Sequence, residues 1–218
     1  MSPQTYAVSQ PKLFQFKDLT GAPCQGLDQE WYRDPWQRRA GCGPTTAATL
    51  MAYLARAHPT LAPLAPETLS TARDILPYME AVWQRVTPTS MGLHTLDLFI
   101  HGSQTFGEDR GILLHYRSLL IPGVKKGSRP SLAQCTAFIR KALESDCPVA
   151  FLNYSGGALS NLDSWHWVTL IALSLQEDDS CQCTILNAGA EHTIDFALWH
   201  RTSRLGGGLV SLHPASKT

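Results

Sequence analysis

An α+β fold is the class the residues predict, and two features of the chain carry that reading. Up to about residue 146 apolar side chains recur mostly at helical spacing, whereas from Pro148 onward short apolar runs alternate with brief turns, as in antiparallel strands. The helical front opens on Gly41-Cys42-Gly43-Pro44, followed by an alanine-rich run that ends near His58-Pro59. The expected organisation is one domain over residues 1–218, with a helical lobe over about 40–146 and a sheet lobe over about 147–213.

The elements follow in order. Leu13 to Phe16 alternate apolar and polar and predict a short strand. Thr20 to Arg39 reads as a polar loop carrying Trp31, Tyr32 and Trp36, either as anchors in the core or as the wall of a cleft. Beyond the helix that starts at Cys42, His58 to Pro66 reads as a connector, and Glu67 to Arg85 as helical with an interruption at Pro77. Thr89 or Ser90 is placed to cap a helix over about Gly92 to Phe106; His94 and His101 on it read as surface or packing histidines. Ile112 to Leu120 reads as extended, Val124 to Pro130 as a basic solvated loop, and Ser131 as the cap of a helix ending before Pro148. Strands are then expected at Val149–Tyr154, Trp167–Leu173 and Cys183–Leu186, with a last pair at Glu191–Phe196 and Gly208–Leu212.

Composition narrows the function classes. With 18 basic against 18 acidic residues the formal net charge is zero, so no basic surface for nucleic acid is expected. Met1 to Gln15 lacks an apolar stretch behind positive charge, and no apolar run approaches the length of a bilayer span; neither a signal peptide nor a membrane partner is expected. Six cysteines without a secretory signal do not make a disulfide framework, and a reducing cytoplasm fits best. Cys181-x-Cys183, with His192 nearby, falls short of a metal set and is better explained as two residues on one face of a strand. No metal or cofactor is expected, and the oligomeric state is left open.

Cys42 stands where a helix begins, beside unpaired N–H groups and the positive end of the helix dipole, which favours thiolate over thiol. The competing reading is a buried structural cysteine. Gly41 and Gly43 beside it permit unusual backbone angles and leave room for another molecule. A thiolate nucleophile needs a base and a group that orients it. Of eight histidines, His166 opens a strongly apolar strand directly after the loop Ser155 to Ser164. If the following strand folds back around Leu175–Asp178, His166 falls opposite Asn187 on one face; a shift of one residue would reverse that facing. Gln37, on the segment leading to Cys42, is the candidate donor to an oxyanion.

Gln37, Gly41-Cys42-Gly43-Pro44-Thr45-Thr46-Ala47, Pro148-Val149-Ala150, His166-Trp167-Val168, Leu186-Asn187 and Phe196 with Trp199 together resemble the papain-like cysteine peptidases. The nearest branch is the bacterial one that includes the bacteriocin-leader (double-glycine) peptidase domains. That resemblance implies a two-lobed papain-like fold, with Cys42 as nucleophile, His166 as general acid and base, Asn187 as its orienting partner and Gln37 as oxyanion donor. The chain departs from the pattern at Asn187-Ala188, where the branch has Asp followed by Pro. Gln37 also precedes Cys42 by five residues, where six is usual. The implied activity is a cysteine peptidase or amidase forming a thioester with a peptide or amide substrate. A thioester-forming acyltransferase and a non-catalytic binding protein on the same scaffold are the alternatives.

Overall fold

The computed structural model describes residues 4–125, 127–176 and 180–215. Chain order gives β1 (Gln4–Ala7), β2 (Gln15–Lys17), β3 (Pro23–Gln25), α1 (Pro35–Ala40) and α2 (Cys42–Ala57). α3 (Ala72–Trp83), α4 (Leu96–Glu108), β4 (Leu114–Pro122) and α5 (Leu132–Glu144) follow. The rest is β5 (Val149–Asn153), β6 (His166–Leu175), β7 (Cys181–Asn187), β8 (Ala190–Asp195), α6 (Phe196–Thr202) and β9 (Gly206–Pro214).

The class is α+β. Seven strands form one sheet whose strand pairs are all antiparallel, in the order β4-β9-β5-β6-β7-β8, with β1 also paired to β6. β5 and β1 share one edge of β6: β5 pairs with His166 to Leu170, and β1 with Ala172 to Leu175. The sheet is a middle layer, because successive side chains of a strand point to opposite faces. Ala150, Leu152 and Trp167 join the cluster built with α2, α3 and α4, while Val149, Phe151, Val168 and Leu170 join the one built with α5 and α6. No helix among the described residues is long and apolar enough to cross a membrane.

Several elements differ from expectation for identifiable reasons. The Leu13–Phe16 stretch splits, with a 3-10 turn at Pro11–Phe14 opened by its proline before β2 begins. The long loop contains β3, a 3-10 turn at Gln29–Trp31 and α1, which Asp34 caps and Pro35 starts. α3 begins at Ala72, where the Thr71 hydroxyl accepts the N–H of Asp74, and it runs through Pro77 without a break. Burying Ile75, Leu76, Tyr78, Met79 and Val82 offsets the one hydrogen bond that proline removes. α4 starts later than expected because Thr95, rather than Thr89 or Ser90, supplies the cap. Both of the expected last strands form, but not as neighbours: β8 pairs with β7 and β9 with β4 and β5, α6 lying between them in the chain. Two strands from ahead of Pro148, β1 and β4, also belong to the sheet. Glu177 and Asp178 of the expected turn, Asp179 at the start of the expected returning strand, and Lys126 of the basic loop lie outside the described residues.

Candidate active site

α2 begins at Cys42, and its first backbone bond runs from Thr45 N–H to the Gly41 carbonyl, 2.9 Å. The sulfur therefore sits among N–H groups that have no partner within the helix. Gly41 and Gly43 have a purpose other than unusual backbone angles or an open space for a ligand. Gly41 is in ordinary right-handed helical geometry. A Cβ there would lie 2.4 Å from the Gln37 carbonyl and 3.1 Å from the Gln29 side chain. A Cβ on Gly43 would lie 2.5 Å from the Leu93 side chain. The two glycines let parts of this same chain close in on either side of Cys42, with Gln29 on one side and Leu93 on the other.

β6 delivers His166 and β7 delivers Asn187. Thr169 pairs with Leu186 and Leu170 with Ile185; past an irregularity at Ile171 the register resumes with Ala172 opposite Thr184. Continuing the first register by one step puts Val168 level with Asn187, two places from the residue expected there. Two places is one full strand period, so His166 and Asn187 still share a face and meet on the diagonal. His166 Nε2 lies 2.7 Å from Asn187 Oδ1. A carboxamide oxygen only accepts, so Nε2–H donates to it, and Nδ1 is left for the hydrogen bond with Cys42.

The electrostatics favour an ion pair. Burial alone pushes the Cys42 thiol up, but the hydrogen bond and charge of His166, with the N–H groups of Trp167 and Gly43, bring its pKa below that of an ordinary thiol. Burial pulls His166 down, yet the bond and charge from Cys42, the Asn187 bond and the Asp163 carboxylate together place it above an ordinary imidazole. Burial drives other cysteines the opposite way: Cys24 and Cys135 to about 11, Cys147 to about 12, and Cys183 upward as well. Cys181 and Cys183 sit on one face of β7, buried in the sheet core.

Cys42 lines two cavities. The first, about 140 Å³, is lined by Cys42, His166 and Asn187 together with Gln29, the threonines on the first turns of α2, and the carboxylates of Asp28, Glu30 and Asp163. The second, about 310 Å³, is lined by Cys42 with Trp36, Arg39, Met91, Leu93 and Trp165 among others. Of the four predicted site residues the fold brings Cys42, His166 and Asn187 together. Gln37 lies on α1 and lines neither cavity; its backbone N–H is held by the Asp34 carboxylate at 3.2 Å. Gln29 was missed from sequence. It occupies the 3-10 turn after Asp28, with its Nε2 donating to the Arg38 carbonyl at 2.7 Å. The missed signal was Asp34-Pro35, a cap followed by proline at the first helical position. It marks a short helix that carries Gln37 away and brings the earlier turn beside Cys42.

Compared with known proteins, the chain matches no family model, and no curated protein matches it.

Proposed function

We propose that the protein is a cysteine peptidase or amidase on a papain-like fold, working through a thioester. The observation that carries this reading is that His166 is hydrogen-bonded both to the Cys42 sulfur and to Asn187, the latter at 2.7 Å. Its polarity matches the need: the sulfur is held towards thiolate, the imidazole towards its protonated form, and the ring is fixed by an acceptor that cannot take its proton away.

In this reaction the thiolate of Cys42 adds to an amide carbonyl carbon, and the carbonyl electron pair moves onto oxygen. That oxyanion accepts hydrogen bonds from the Cys42 N–H and from Gln29, which lines the same cavity. Collapse of the intermediate breaks the C–N bond while protonated His166 gives its proton to the leaving nitrogen. The amine departs and a thioester stays on Cys42. Neutral His166 then takes a proton from water, the hydroxide adds to the thioester, and the carboxylic acid leaves as the thiolate returns. Passing the acyl group to an amine instead of water uses the same groups. The test is purified Cys42→Ala beside the wild type on a peptide mixture with mass readout, with and without added amine. Loss of all cleavage in a variant with an unchanged circular dichroism spectrum is expected; equal cleavage by both proteins would overturn the reading.

A further inference from the structure

We propose that the outer edge of β4 is a docking site for an extended acidic peptide segment, which joins the sheet as one further strand. β4 spans nine residues, and all nine pair with β9. Among the described residues no strand pairs with its other edge, and no backbone hydrogen bond from a loop or helix reaches it. In an antiparallel strand the N–H and C=O groups of alternate residues point away from the neighbour. β4 therefore holds out an open ladder, the feature that strand addition uses. His115, Arg117, Ser118 and Leu120 are exposed along it.

The side chains at this edge set the chemistry of the occupant. A cavity of about 310 Å³ at Cys42 has a larger counterpart here, about 470 Å³, lined by Arg117, Ser118 and Leu119 of β4 and by Gln134, Phe138 and Lys141 on successive turns of α5. Leu119 and Phe138 pack against the core and give it an apolar part, and no carboxylate lines it. Arg117 and Lys141 are exposed, and neither forms an ion pair or a side-chain hydrogen bond among the described residues. Arg38, Arg85 and Arg140, by contrast, each face a carboxylate. Two unpaired cations beside open backbone groups suit carboxylates carried on an added strand. The other face of β4 is apolar: Leu114 and Tyr116 pack towards α4, and Leu120 follows on that face, 56% exposed. Strand period then asks for acidic and apolar residues in alternation. A second copy of the chain fits less well. In a twofold pairing centred on Ser118, the midpoint of β4, the two Arg117 side chains would share a face on the diagonal, about 7–8 Å apart. The cavity shares no lining residue with either of those at Cys42, so this surface is distinct from the candidate active site.

The experiment is fluorescence polarisation of the full chain with fluorescein-labelled Gly-Val-Glu-Val-Glu-Val-Glu-Val-Gly, a peptide as long as β4. Saturable binding is expected, equal in wild type and in Cys42→Ala, which also removes any cleavage of the probe. Kd should rise about tenfold or more when lysines replace the glutamates, and likewise in the double variant Arg117→Glu, Lys141→Glu, whose exposed positions leave the circular dichroism spectrum unchanged. Two further peptides are N-methylated, one at every valine and one at every glutamate, so that each loses the N–H groups along one edge. One of the two is expected to bind like the parent and the other to lose binding. Absence of binding to wild type overturns the proposal, as does a Kd indifferent to the charge reversals. Equal binding of both methylated peptides and the parent would reduce the contact to charge alone and overturn strand addition. Weaker binding to Cys42→Ala would place the peptide in the catalytic cavities instead. A dimer in sedimentation velocity that the peptide dissociates would give the edge to a second copy, and that too overturns it.

Discussion

Asn187 reaches His166 across a diagonal, and this is the residue-scale fact on which the chemistry turns. A one-residue slip would have put the carboxamide on the opposite face, whereas the two-residue offset kept it. Asn187→Ala frees the ring, and kcat is expected to fall roughly a hundredfold for a misplacement on the order of 1 Å, with KM little changed; steady-state kinetics on a cleaved peptide measures it. Gln29→Ala should cost about 10²–10³ in kcat if it holds the oxyanion, and Gln37→Ala far less. A matching loss in the two variants would return the role to Gln37. The pH profile follows from the pair. Thiolate is present above the Cys42 pKa, which lies below the ordinary 9.0, and imidazolium persists below the His166 pKa, which lies above the ordinary 6.5. Activity is therefore expected to form a bell whose limbs belong to the coupled pair, both groups displaced in the directions that widen the window. Cys42 and His166 were legible from sequence because each stands where an element begins. Gln29 was not, since its nearness to Cys42 depends on how α1 turns the intervening chain.

At the scale of elements, β6 is the beam that carries the site. Its second residue, Trp167, stacks on Phe99 of α4 with ring centroids 4.5 Å apart and donates to Leu93, so one side chain pins helix, strand and the Met91 turn. Trp167→Phe keeps most of the packing but leaves a buried carbonyl without its donor, at a cost of about 1–3 kcal/mol. Urea denaturation of the variant should show that loss, and an unchanged midpoint would mean the bond contributes nothing. Before β6, Asn153 secures the loop that leads to His166: its amide donates to the Asp163 carbonyl at 2.6 Å and its carbonyl accepts from Trp199 Nε1 at 2.8 Å. Elements with local signatures could be read directly. α5 carries a full capping box, Ser131 and Gln134 exchanging bonds of 3.2 and 2.8 Å, and it begins where expected. What escaped were matters of distant pairing. Nothing near Gln4–Ala7 signals that it will extend an edge of β6 almost the whole chain away, and the irregularity at Ile171 has no local mark.

For the whole molecule, the sheet is the frame that lets far-separated segments meet: α2 packs on β6 from the helical side while β5, β7 and β1 hold β6 in place. The far edge of that frame carries its own pH sensitivity. His213 on β9 pairs with His115 on β4, and burial, then Arg117, then His115 and His58 press its pKa down to about 4. The folded protein thus binds fewer protons there than the unfolded chain between pH 6.5 and about 4, so stability is expected to fall as pH drops through that window. His213→Gln should flatten the fall in Tm measured from pH 7 to 4.5, and an equally steep fall would assign it to other groups. The most direct test of the central claim is the rate of Cys42 alkylation by iodoacetamide as a function of pH, read by peptide mass in wild type and in His166→Ala. The expected result is rapid labelling at neutral pH in wild type, and in the variant a slow reaction whose onset moves up to that of an ordinary thiol. Superimposable profiles, both rising only where a free cysteine ionises, would contradict it.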